Sequence, residues 1–300
     1  MKGIPEIPLP TTVVGSYPAV GTSGITNFLD PMRSAVRTAV DDQLKAGIDI
    51  ISDGQVRGDM VRAFTARLPG IRGQDVIGKV MPASGTISVS DTKYALSKTS
   101  YVKGILTGPT TLSHALHIST PIYRNRGELA MDLAGALARE AVALEEAGVC
   151  MVQIDEPIFS TGIADLPAGK EALSAIISSL GIPVCLHVCG DLSMVIDDIL
   201  SLPVAIFDFE FSRNARNLEI LGEKDLKGRM IGFGCIDSSS AVVESIQTVR
   251  DRIDSAIEVF GPEKLLLDPD CGLRMLPRKS AFEKLAHMVT AAKEVRKDLL

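Results

Sequence analysis

His187 and Cys189 stand two residues apart in the run Val184-Cys185-Leu186-His187-Val188-Cys189. On an extended backbone, that spacing puts both side chains on one face. Their Cα atoms are then about 6.5–7 Å apart, so an imidazole nitrogen and a thiolate can converge on one cation at roughly 2.0–2.3 Å. Cys271 and Glu210 stand at the ends of two other apolar runs, at a matching depth. Together the four residues offer two sulfurs, one nitrogen and one carboxylate oxygen. Such a set selects zinc over magnesium or calcium. A cysteine in a buried run is more often apolar filler, and a short His-x-Cys pair alone carries little weight. The convergence of four residues from three runs is what favours a metal. Cys185 shares the face of His187 but lies deeper and reads as core, as do Cys150 and Cys235.

Other run ends carry polar chemistry. Asp155-Glu156 is a paired carboxylate that suits acid–base work or a substrate ammonium; capping a helix near Pro157 explains it equally well. Ser16 after Gly15 can offer a hydroxyl and an N–H to a carboxylate, although Gly-Ser is also common in turns. Asp268 and Asp270 flank Pro269 and read as shaping the loop that presents Cys271. His114, His117 and His287 have no ligand-like neighbour and read as structural.

Something must bring these ends to one place. Eight short apolar runs recur along the chain: Thr12–Gly15, Ile48–Ser52, Val102–Thr107, Cys150–Ile154, Val184–Val188, Val204–Phe209, Met230–Gly234 and Lys264–Leu267. Runs that are apolar throughout are strands buried on both faces, which implies a parallel sheet. Helical patterns separate them: Pro31–Ala46, Gly127–Ala147, Lys170–Leu180, Leu192–Leu200, Ala215–Leu221, Ala241–Phe260 and Ser280–Arg296. Gly127–Ala147 sets Leu133, Leu137, Ala141 and Leu144 on one stripe and stops at Gly148; Ser280 and Glu283 have the spacing of a capping box. This alternation predicts an α/β fold of the (β/α)₈ barrel type, a single domain over residues 1–300, with an open doubly wound sheet as the competing layout. The stretch between the second and third runs is long, and Ala83–Tyr94 reads as an inserted hairpin. In a barrel, the C-terminal strand ends share one rim, so the candidate ligands meet there.

Composition narrows the function. The chain has 300 residues, 31 Lys+Arg against 37 Asp+Glu, and a net charge of −6. That balance argues against nucleic acid or an anionic membrane surface as a partner. No window of about 18 apolar residues suggests a membrane span. The first ten residues hold three prolines and no apolar core of a signal peptide. With five cysteines, the expected setting is a reducing cytoplasm with free or metal-bound thiols.

The run ends also carry motifs in a fixed order: Val14-Gly15-Ser16-Tyr17-Pro18, Lys103-Gly104-Ile105-Leu106-Thr107-Gly108-Pro109, Gln153-Ile154-Asp155-Glu156-Pro157, His187-Val188-Cys189, Glu210-Phe211-Ser212-Arg213 and Pro269-Asp270-Cys271-Gly272-Leu273. From about residue 11 onward, the chain resembles the C-terminal catalytic domain of cobalamin-independent methionine synthases. The resemblance implies a (β/α)₈ barrel holding one zinc on His187, Cys189, Glu210 and Cys271. It also implies homocysteine as methyl acceptor, its carboxylate at Gly15 and Ser16 and its ammonium at Asp155.

Departures from the family pattern matter as much. The chain has no Trp, whereas the folate-using members employ one, and it lacks room for their second, N-terminal barrel. Ser239 stands where those members carry a proposed general-acid His. Gln55 stands where an acid that helps bind the ammonium is expected, which leaves Asp53 or Asp59 to substitute. These departures resemble the short archaeal-type relatives and imply a methyl-corrinoid donor, methylcobalamin or a corrinoid protein, in place of methyltetrahydrofolate. A zinc methyltransferase acting on another thiol such as coenzyme M, and a non-catalytic zinc or corrinoid-protein adaptor, are the alternatives. A sulfonate acceptor calls for a basic anchor where Asp155 and Ser16 stand.

Overall fold

The computed structural model describes residues 3–19, 30 and 32–299. Six strands form one parallel ladder, in the spatial order Lys103–Thr107, Met151–Asp155, Val184–Val188, Ile206–Glu210, Met230–Ile236 and Leu265–Pro269. Two extended segments complete the circuit. Residues 11–15 bridge to the last strand at Thr11 and Leu267, and residues 48–52 bridge at Ile51 to Val102. Thr12 N–H donates to the Leu267 carbonyl at 2.7 Å, Ile50 N–H to Thr11 at 2.9 Å, and Lys103 N–H to Ile51 at 2.9 Å. The sheet therefore closes on itself as a (β/α)₈ barrel, and the open-sheet layout is excluded.

The local sequence explains the elements. All five residues of the strands at 103, 151, 184, 206 and 265 are buried, which is why these runs are apolar almost throughout. Helix Arg126–Ala147 begins where Asn125 accepts from the Glu128 N–H, and ends at Gly148 with φ 101°, a turn that favours glycine. Its stripe of Leu133, Leu137, Ala141 and Leu144 is fully buried. Helix Leu166–Ile177 is capped by Asp165, and helix Ile246–Phe260 by Ser245.

Two expectations are corrected. The last helix spans Arg278–Asp298, with Pro277 at its entry, so Ser280 lies inside the helix and no Ser280–Glu283 capping box forms. Residues 83–94 form no hairpin. Val89–Leu96 is a helix that buries Val89, Thr92 and Ala95, and the Glu140 carboxylate accepts the N–H groups of Ile87 and Ser88 at 2.7 Å each. The alternation of Ile87 and Val89 is too short to hold a strand against that capping. A small hairpin does occur earlier, pairing Ile71–Arg72 with Asp75–Val76, with His117–Ile118 alongside in parallel. The helix expected from Pro31 begins at Arg33; Pro31 lies outside the described residues.

The barrel interior changes character along its axis. At the N-terminal end, Ile4, Ile50, Met151, Cys185, Ile206 and Leu266 pack into an apolar plug. Above the plug lies a buried polar layer of Lys103, Gln153, Asp208 and Asp268. Asp155, His187 and Glu210 follow at the C-terminal end.

Candidate metal centre

Strand Val184–Val188 carries His187 one residue before its end and delivers Cys189 one residue past it; Cys271 follows strand Leu265–Pro269 by two residues. One ligand atom each from His187, Cys189 and Cys271 lies within 4.8 Å of the other two, the single such grouping among the described residues. The three come from two non-adjacent strands, so barrel closure is what joins them.

The histidine is held from below. Asp208, opposite it on the next strand, places Oδ1 3.2 Å from His187 Nδ1, and both side chains are sealed from solvent. Among the described residues, both ring nitrogens and both Asp208 oxygens are buried without a hydrogen-bond partner, and Nε2 is the ring nitrogen away from Asp208. A buried polar nitrogen without a partner is costly, and a metal ion would satisfy it. The Cys271 thiol is pulled down to about 4 by its hydrogen bond with Cys189, against its burial and with help from His187. Cys189 is pushed up by the same hydrogen bond and by burial. A buried imidazole and two thiols whose ligand atoms lie within 4.8 Å of one another fit a zinc ion.

Glu210 stands at the same rim but outside the tight cluster. Its carboxylate accepts from the Asn214 amide at 2.7 Å and from the Gly190 N–H at 3.2 Å. Its pKa is raised by burial, partly offset by Arg213. The structure thus joins three of the four expected ligands and holds the fourth alongside on protein donors.

Asp155 pairs in register with His187 and is buried; burial raises its pKa to about 6, against the pull of His187 and of Gln153. Gln153 Nε2 donates to Asp155 Oδ1 and to the Val14 carbonyl, both at 2.7 Å, and so ties the carboxylate to the segment carrying Gly15 and Ser16. A Cβ on Gly272 would collide with Ser16 Oγ, and Leu273 N–H donates to the Ser16 carbonyl at 2.8 Å. Ser16 therefore lies beside the Cys271 loop. A Cβ on Gly15 would strike Ile105 and crowd Gln55, so only glycine lets the three approach.

The Asp155-Glu156 pair is divided between two tasks. Asp155 faces the cluster. Glu156 accepts from the N–H groups of Thr110 and Thr111 at 2.9 and 2.7 Å at the start of helix Pro109–Ala115, whereas the turn at Pro157–Thr161, where a cap was expected, has no side-chain cap. Asp53 is buried, accepting from the Thr92 hydroxyl and the Gln55 N–H, and Asp59 caps the turn at Val61 and Arg62. Gln55 itself has φ 42°, and its buried Nε2 has no partner. Ser239 donates to Asp237 through both N–H and hydroxyl. His114, His117 and His287 all lie apart from the cluster: His117 is exposed near Asp75, and His287 bonds the Glu244 carbonyl.

Asp208 and Asn217 are given no role by the sequence alone, and Asp270 does more than shape the loop that presents Cys271. Asp208 was the most legible of them, since it lies two residues before Glu210 and must share its face. Asp270 accepts from the N–H groups of Phe211, Ser212 and Arg213 at 2.9–3.1 Å, which joins the loop after Glu210 to the loop of Cys271. Asn217 bonds the carbonyls of Gly190 and Glu210 at 2.9 and 2.7 Å. These cross-loop contacts have no local sequence signature.

Comparison with known proteins agrees with this architecture. The family described as cobalamin-independent synthase, catalytic domain, matches residues 9–294. A protein from Methanothermobacter marburgensis named methionine synthase is 44% identical, covering 95% of this chain and 99% of the relative. Another of that name from Methanocaldococcus jannaschii is 39% identical, covering 95% and 99%. Among solved structures, a B12-independent methionine synthase from Shewanella sp. W3-18-1, in complex with selenomethionine, superposes with a TM-score of 0.87 at 25% identity, covering 97% of this chain and 99% of that one.

Proposed function

Since the chain belongs to the cobalamin-independent methionine synthase catalytic-domain family, in its short archaeal-type form, we propose that it is a zinc methyltransferase that converts homocysteine to methionine. The observation that carries this reading is the meeting of His187, Cys189 and Cys271 beside Asp155 and Ser16. His187, Cys189, Cys271 and Glu210 would hold the zinc. Zinc bound there would favour the thiolate form of the substrate sulfur at neutral pH.

The protein's own groups explain why that thiolate stays nucleophilic. Two thiolates and one carboxylate outweigh the charge of a divalent ion, so the site draws weakly on an incoming sulfur. Asp208 fixes the ring of His187 and selects its tautomer. Asp155 attracts the substrate ammonium; Ser16, beside Gly15, offers a hydroxyl and N–H to the carboxylate. These contacts orient the sulfur towards the cluster, which lowers the entropic part of the barrier.

We assign the methyl donor as a methyl-corrinoid. A cob(I)alamin leaving group needs no proton, which suits a site with Ser239 in place of a histidine acid. The described residues contain no helix long and apolar enough to cross a membrane. Five free cysteines suit a reducing, cytoplasmic setting. The test is methionine formation from homocysteine by zinc-loaded protein with methylcobalamin. No turnover with methylcobalamin or any methyl-corrinoid protein would overturn the assignment.

A further inference from the structure

We infer that Asn214, together with the Gly190 N–H, is a holding site that receives the Glu210 carboxylate whenever that carboxylate leaves the metal. The inference rests on the zinc reading above. Glu210 ends its strand on the rim that carries the cluster, yet its two oxygens are engaged elsewhere. One accepts from the Asn214 amide at 2.7 Å, the other from the Gly190 N–H at 3.2 Å. Hydrogen bonds to a charged acceptor are among the strong ones, so this position competes with metal ligation.

The surroundings make the position a defined alternative. Asn217 is fully buried and bonds the backbone carbonyls of both Gly190 and Glu210, which ties the Gly190 donor to the strand end. Asn214 is half-buried, so its own substitution should leave the barrel intact. Asn214 is thus a positioning residue acting through Glu210: it lowers the cost of vacating one ligand place for a substrate thiolate.

A thermodynamic cycle gives the test a distinctive sign. If the held and ligating positions compete, Asn214→Ala should bind zinc roughly tenfold more tightly and homocysteine roughly tenfold more weakly, the size of one hydrogen bond to a charged group. Asn214→Asp, which repels the carboxylate from the holding site, should shift both in the same directions. Zinc affinity is read by chelator competition, and homocysteine affinity by calorimetry on zinc-loaded protein without a methyl donor. In a Glu210→Ala background, Asn214→Ala should change neither. Weaker zinc binding in Asn214→Ala would mean that Asn214 steers Glu210 onto the metal, which overturns the inference. Unchanged affinities in both single variants would overturn it as well. Wild-type protein that binds no zinc would instead overturn the metal reading on which the role depends.

Discussion

Asp208 Oδ1 lies 3.2 Å from His187 Nδ1 across adjacent barrel strands, with neither side chain exposed to solvent. This approach sets a carboxylate beside Nδ1 and favours Nε2 as the nitrogen left for a metal. A ligand histidine oriented by a carboxylate typically loses about 10–100-fold in metal affinity when that carboxylate is removed. Asp208→Asn should therefore lower zinc affinity by that factor while the far-ultraviolet circular dichroism stays native. Zinc affinity equal to wild type would mean that the ring is held by packing alone.

Asp155 is assigned to the substrate ammonium. Asp155→Asn retains the acceptor used by Gln153 but removes the charge. Homocysteine affinity should fall by about 1.5–3 kcal/mol, with zinc content unchanged. Burial raises this carboxyl to about 6, so it is charged above that pH and neutral below it. The KM for homocysteine should accordingly rise as pH drops through 6, and Asp155→Asn should flatten that rise. A KM profile identical in both proteins would remove Asp155 from the substrate site.

Asp270 is the link between the loops of Glu210 and Cys271. Asp270→Ala leaves three backbone N–H groups without their acceptor. Unfolding free energy should fall by roughly 2–4 kcal/mol, measured by urea denaturation. A loss below about 0.5 kcal/mol would show that water replaces the carboxylate at no cost.

The donor assignment makes a selective prediction. A flat pterin gains about 0.5–1.5 kcal/mol from an aromatic stacking partner, and this chain has no Trp to supply it in the family's manner. Turnover is expected with methylcobalamin or a methyl-corrinoid protein, and none with methyltetrahydrofolate mono- or triglutamate. A docked corrinoid protein should outperform free methylcobalamin, because its remote contacts contribute binding energy. Efficient folate-dependent methionine formation would contradict the assignment.

The barrel was legible because its strands are buried on both faces and so read as apolar runs; six runs fall within two residues of an observed strand, and the first two meet the sheet at the single bridges of Thr11 and Ile51. The cluster of His187, Cys189 and Cys271 was legible because strand ends converge in such a fold. The hairpin expected at 83–94 failed for a non-local reason: Glu140, more than fifty residues on in sequence, caps the turn at Ile87 and Ser88. The division of labour between Asp155 and Glu156 was equally hidden, since it depends on which helix N-terminus lies nearby. The same holds for Asn214 and Asn217, polar residues in a loop whose partners are fixed only by the fold.

The central claim is that the cluster holds zinc and that this zinc activates homocysteine. It is tested most directly by measuring zinc content and methylcobalamin-dependent methionine formation together in wild type and in Cys271→Ser. One zinc per wild-type chain is expected, with sulfur at about 2.3 Å by X-ray absorption, and the variant should lose most zinc and activity together. A Cys271→Ser protein that keeps its full zinc and full turnover would contradict it.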